Sequence, residues 1–170
     1  MDIISHGFYG GVVFVNKSKR SFWAAFFWGV FPDLFAFGVF FPLFVFRHGL
    51  FNPDIKYGEP PVLPDIPGYI NFLYSLSHSL VIFGLVLLAL YIWKRRIILE
   101  MLPWGLHILM DIPSHTDAFF PTPFLYPLTS FHVSGIPWGT PSFFISYWAI
   151  LAALYCFQFT KRLKRKRAGK

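Results

Sequence analysis

Charge is scarce in this chain, and acidic charge scarcest of all: eight Asp and Glu stand against fifteen Lys and Arg in 170 residues, so that only 14% are charged. A soluble domain of this size needs a charged exterior, and so few ionisable groups, gathered in a few runs, cannot supply one. Cysteine is nearly absent as well. The single Cys156 excludes an intrachain disulfide and is silent on redox compartment. No G-x-S-x-G elbow occurs, so Ser77 and Ser79, which flank His78, carry no serine-hydrolase signature. Nor does the N-terminus read as a signal peptide, because its bases follow the first apolar stretch and no small-residue cleavage site is evident. Internal repeats are missing, and the only low-complexity segment is the basic tail.

What the chain has instead is apolar surface: 55% hydrophobic residues, 22% aromatic, with 23 Phe. That composition predicts an all-α integral membrane protein. Four runs are long enough to span: 21–46, interrupted by Pro32 and Pro42; 69–93, the cleanest; 97–116, with Pro103 and Pro113 as kink or end points; and 142–160, which holds no acid, base or His and is expected to be a packing helix. Residues 3–16 are short of the ~20 needed to cross, and Gly10-Gly11 weakens them as a helix, so a short, partly inserted N-terminal helix is expected. Residues 1–160 then form a single membrane-embedded domain and 161–170 a basic tail. Loops rich in Pro and Gly, 47–68 and 117–141, separate the spans.

Thirteen of the fifteen bases lie in KSKR (17–20), KRR (94–96) and the tail KRLKRKRAGK (161–170), each against the end of an apolar run. The positive-inside rule places all three in the cytoplasm and both loops outside, for a multi-pass protein of the cell membrane with a cytoplasmic tail. The net charge of +7 is therefore assigned to anionic lipid headgroups, and no nucleic-acid partner is expected.

Against this background HILMDIPSH (107–115) is anomalous, because an ionised group at the bilayer centre costs about 3 kcal/mol even on insertion scales. His107 and Asp111, four residues apart, share a helical face; His115 follows a turn later, past Pro113. Counting from the basic boundaries at 1.5 Å per residue puts Asp33 roughly 20 Å deep, His78 roughly 24 Å, Asp111 roughly 22 Å and His6 roughly 16 Å. Nearly all intramembrane ionisable residues thus fall in one slab, which points to one shared site. Imidazole nitrogens and carboxylate oxygens on facing helices suit Zn²⁺ or a similar ion, which would offset the charge of Asp33 and Asp111. A water on such an ion is a nucleophile for an ester or phosphoester.

Structural roles compete with this. His78 can hydrogen-bond Ser75 or a carbonyl, Asp33 can cap a helix restarting after Pro32, and His6, His48 and His132 can be surface or loop residues. Glu is missing from the slab, so Asp33 or a free His would have to act as general base. A non-enzymatic protein is the alternative: a metal or proton path, or a scaffold subunit with a structural polar cluster. A path needs polar groups through the whole thickness, and the basic-end half of each span lacks them apart from Glu100.

The motifs SHGFYGG (5–11), FPDLF (31–35), LSHSL (76–80) and GLHILMDIPSH (105–115), followed by PFLYP (123–127), occur in the order of the membrane-bound metal-dependent hydrolases, which this chain resembles over most of its length. The resemblance implies His6, Asp33, His78, His107 and Asp111 as the metal and catalytic set, with a distant likeness to zinc-dependent phospholipases C. Two departures stand out. Phe35 replaces the second Asp of a Pro-Asp-x-Asp pattern, and Leu73-Tyr74-Ser75 replaces a His-Arg-Gly, which leaves three alternatives: fewer metals bound, replacement by His115, His48 or Asp117, or loss of activity. The resulting expectation is a divalent metal, zinc foremost, held by His6, Asp33, His78, His107, Asp111 and His115, with Asp33 and His78 catalytic. The enzyme would hydrolyse a lipid-like ester or phosphoester from the non-cytoplasmic side.

Overall fold

The computed structural model describes residues 1–48 and 66–169, His48 by its backbone alone. The described residues form seven α-helices and one 3-10 turn: α1 Ile3–Val12, α2 Lys19–Phe37, α3 Phe40–His48, α4 Gly68–Ser77, α5 Leu80–Lys94, the turn Leu99–Met101, α6 Leu102–Asp111 and α7 Pro141–Arg167. No strand occurs among the described residues. Most of the loop expected at 47–68, with Asp54, Glu59 and Asp65, lies outside the described residues, as does the side chain of His48.

The span count differs from expectation. Among the described residues only α7, 27 residues, is by itself long and apolar enough to cross a membrane; at 1.5 Å per residue it is roughly 40 Å long. Two more spans result if the bent pairs α2–α3 (58°) and α4–α5 (57°) each count as one. Residues 97–116 do not make a fourth. Arg95 ends α5 in a left-handed conformation, Pro103 opens α6, and α6 stops at Asp111, roughly 15 Å later.

The break between α4 and α5 has a local cause. Ser79 caps α5 by accepting from the Ile82 amide at 3.2 Å, and the Leu80 amide turns away to the Phe124 carbonyl at 2.9 Å, so the run expected to be the cleanest bends beside His78. In the first run the helix passes through Pro32 and breaks only after Phe37; Asp33 is mid-helix and caps nothing. The tail is not a separate segment either, since α7 continues through the bases to Arg167.

The centre of the fold is α1 laid against α2 and α6. Gly10 and Gly29 permit it. A Cβ on Gly10 would stand 2.7 Å from the Ala25 carbonyl oxygen and from Pro103, and one on Gly29 would stand 2.5 Å from the His6 carbonyl oxygen. The glycines that weaken α1 as an isolated helix are what let its backbone touch its neighbours. Beneath the polar residues lies a buried cluster of Met101, Trp104 and Ile108, with Trp28 stacked on Trp104 at 5.8 Å. Outward, the fold is apolar: α5 buries no residue, and Leu85, Ile92 and Trp93 are 58, 55 and 71% exposed. A lipid bilayer is the solvent such a surface suits.

α7 packs along α1 and is fastened at both ends. Tyr147 Oη and Trp148 Nε1 donate to Asp2 Oδ2 at 2.8 and 3.1 Å, and Asn16 Nδ2 donates to the Gln158 carbonyl and side-chain oxygens at 3.1 and 3.0 Å. The segment between α6 and α7 folds back over the end of α6. Gly135, Ile136 and Trp138 amides donate to the His115, Pro113 and Ser114 carbonyls, which holds the turn after Asp111 in place.

Candidate metal centre

Three elements bring Asp33, His78, His107 and Asp111 together, each residue with a ligand atom within 4.8 Å of the others. α2 supplies Asp33, the bend after α4 supplies His78, and one face of α6 supplies His107 and Asp111. His107 Nε2 lies 3.0 Å from Asp111 Oδ2 and 3.7 Å from Asp33 Oδ1; His78 Nε2 lies 3.4 Å and 3.5 Å from the same two oxygens. The two Nε2 atoms are 3.1 Å apart.

Their protonation follows from what the other ring nitrogens meet. His107 Nδ1 faces the Gly29 carbonyl at 2.6 Å, and a carbonyl only accepts, so Nδ1 carries the hydrogen. His78 Nδ1 faces the Ser77 hydroxyl at 3.0 Å and the Tyr74 carbonyl at 3.2 Å. Because Ser77 donates its own proton to the Tyr74 carbonyl at 3.3 Å, both oxygens are left as acceptors for Nδ1–H. In the neutral rings both Nε2 atoms are therefore bare. Two lone pairs and two carboxylates converge without a donor between the neutral rings, an arrangement that a proton on one imidazole or a bound cation satisfies. Imidazoles fixed from behind by a carbonyl or hydroxyl are the usual supports of metal-binding histidines. This His/Asp group can hold a metal ion.

His6 and His115 occupy a second arc, around the other oxygen of Asp111. His6 Nε2 is 2.9 Å from Oδ1 and His115 Nε2 is 3.5 Å from it. The Met1 amino group lies 2.5 Å from Oδ1, 2.9 Å from Ser114 Oγ and 3.5 Å from His115 Nε2. Oδ1 is thus supplied with donors, whereas Oδ2 meets only bare nitrogens. The His6 ring stacks on His107 at 3.7 Å, and its Nδ1 is buried without a hydrogen-bond partner. Tyr74 stacks on His78 at the same separation.

All six residues predicted to bind metal meet around Asp111, four in the compact group and two beside it. The side chain of His48 is outside the described residues, and the other candidates fall elsewhere. Exposed His132 pairs with exposed Asp117 at 3.0 Å, so Asp117 does not fill in for the missing carboxylate. Ser75 bonds the Asn71 carbonyl instead of His78. Ser77, Ser114 and the Gly29 carbonyl were not anticipated. The serines had a signal in their adjacency to His78 and His115; a backbone carbonyl has none.

A cavity of about 440 Å³ opens beside the centre. Asp33 and His115 lie on its wall with Asp2 and Met1, among Leu34, Phe37, Phe41 and Trp138, making it a largely apolar chamber with ionisable groups on its wall. Asp33, 17% exposed, is the one member of the compact group that reaches it; the others are at most 1% exposed. The chain matches no family model, no curated protein and no solved structure.

Proposed function

We propose that this chain is a multi-pass membrane hydrolase that uses a divalent metal, zinc by its donor set, to cleave a lipid-like ester or phosphoester from the non-cytoplasmic side. The observation that carries this is the meeting of bare His78 and His107 nitrogens with the Asp33 and Asp111 carboxylates at the end of an apolar cavity. Mixed nitrogen and oxygen donors favour zinc over magnesium or calcium. When bound, the ion supplies a water acidified toward a pKa of ~7. The protein's part is to hold the donors, exclude bulk water and seat the substrate. Asp33 faces the cavity and serves as the proton acceptor, for want of any Glu. His115, on the same wall, is placed to protonate the leaving group. Phe37, Phe41 and Trp138 present the apolar surface an acyl or isoprenoid chain requires. The resemblance to the membrane-bound metal-dependent hydrolases supports the same reading.

A proton or metal path fits less well. Buried Met101, Trp104 and Ile108 lie beneath the centre, so its polar groups do not continue toward the basic end of the fold. The deciding experiment is metal content by mass spectrometry on detergent-purified protein and on His107→Ala and Asp111→Asn. Zinc near one equivalent, lost in both variants, followed by turnover on a panel of fluorogenic lipid esters and phosphoesters, is the expected outcome. No metal after repletion with zinc and manganese overturns it and leaves a structural polar cluster.

A further inference from the structure

At the opposite end of α1 and α2, roughly 21 Å along the helix from Asp33 to Lys19, the chain builds a second site of different chemistry. The turn joining α1 to α2 faces the last turns of α7 across a cavity of about 450 Å³. Lys17, Lys19, Arg162, Arg165 and Lys166 all line it, and no acid does. Among the described residues none of the five forms an ion pair with a carboxylate. Five cations around one concave space repel one another, and the arrangement is favourable when an anion occupies it.

A second, apolar cleft of about 320 Å³ adjoins it, sharing Val15, Asn16 and Arg162 and continuing along α7 past Tyr155, Cys156 and Phe159. The Asn16–Gln158 bonds described above fix the two helices where basic and apolar parts meet. The order along α7 is also that of a lipid: the apolar run ends at Thr160 and the bases begin at Lys161, at the level where a headgroup phosphate meets acyl chains.

We infer that this end of the protein binds one anionic phospholipid, its phosphate among Lys17, Lys19, Arg162, Arg165 and Lys166 and one acyl chain in the cleft beside Cys156. The two guanidinium groups chelate phosphate oxygens and the lysines add point charges. The site is independent of the metal centre. It also differs from general attraction of a basic tail to a charged surface, because only some of the bases line the cavity: Lys161, Lys164 and Arg167 do not.

That distinction supplies the test. Delipidated, detergent-purified full-length protein is titrated with phosphatidylglycerol, phosphatidylcholine or inorganic phosphate and followed by native mass spectrometry. Two triple variants of equal charge loss are compared, Lys19→Gln/Arg162→Gln/Arg165→Gln in the cavity and Lys161→Gln/Lys164→Gln/Arg167→Gln outside it, with unfolding temperature confirming that both are folded. The expected result is one phosphatidylglycerol bound in preference to phosphatidylcholine, weakened on the order of 100-fold by the cavity triple, since each base near anionic lipid contributes a factor of about five. The outer triple retains most of the affinity, and Cys156→Trp, which fills the cleft, weakens the lipid without altering phosphate binding. Equal losses in the two triples, or equal binding of phosphatidylcholine, overturn the proposal. So does displacement of the lipid by inorganic phosphate together with an indifferent Cys156→Trp, which identifies a site for free phosphate.

Discussion

His78 and His107 point their Nε2 atoms at each other across 3.1 Å, while the Nδ1 of each is committed to an acceptor behind it. Neither ring can turn its hydrogen inward without abandoning a buried partner, so the pair can share a cation. Removing the support behind one ring tests this. Ser77→Ala leaves His78 its Tyr74 carbonyl but takes away the hydroxyl, and metal affinity is expected to fall ~10-fold, at the lower end of what outer-shell partners contribute. Competition with a chromogenic chelator measures it, and an unchanged unfolding temperature shows that the loss is local.

Glycine substitutions should separate close packing from helix propensity. Gly29→Ala drives a methyl into the His6 carbonyl and Gly10→Ala into the Ala25 carbonyl, so each is expected to cost about 1–3 kcal/mol by overpacking. Gly84 in α5 has nothing within 4 Å of its would-be Cβ, and there Ala is expected to stabilise by roughly 0.5–1 kcal/mol. Denaturant unfolding in detergent reads both signs.

The cavity beside Asp33 makes a prediction about chain length. Leu34→Trp narrows the chamber without touching a metal donor. Zinc content is expected to stay at the parent value, KM for long-chain esters to rise, and short-chain esters to be spared. A uniform loss on all substrates would separate the cavity from substrate recognition.

Asp2 is a joint between α1 and α7. Its Oδ1 caps α1 through the Ser5 amide at 2.9 Å, and its Oδ2 accepts from Tyr147 and Trp148. Asp2→Ala is expected to cost about 1 kcal/mol for the cap and a further ~1–3 kcal/mol for the donors left without a partner. Hydrogen exchange over residues 141–148 should quicken more than over α6.

The centre was more legible than the spans. The i, i+4 spacing of His107 and Asp111 gives them a common face, which rests on the helix period. The structure brings His6, Asp33 and His78 to the same place, although the helices over which the sequence count runs are broken. The break at Ser79 was missed because hydropathy is equally high on either side of it; the serine cap was the available signal. For 97–116, Pro103 and Pro113 were recognised as breakers but given too little weight against the apolar content between them. Gly10-Gly11 was read for its propensity, which close contact with α2 and α6 overrides. The Gly29 carbonyl behind His107 belongs to the backbone, and no side-chain pattern could reveal it.

The attachment of α7 has a consequence for the order of events during synthesis. Every residue of the metal centre precedes position 116, and α7 begins at Pro141, with its partners Asp2 and Asn16 at the far end of the chain. At roughly 5–20 residues per second, helices α1 to α6 are complete seconds before α7 leaves the ribosome. The histidines and aspartates can therefore find one another in an unfinished protein whose flank is still bare. The last helix then arrives as a clasp, closing along α1 beside a cluster already formed.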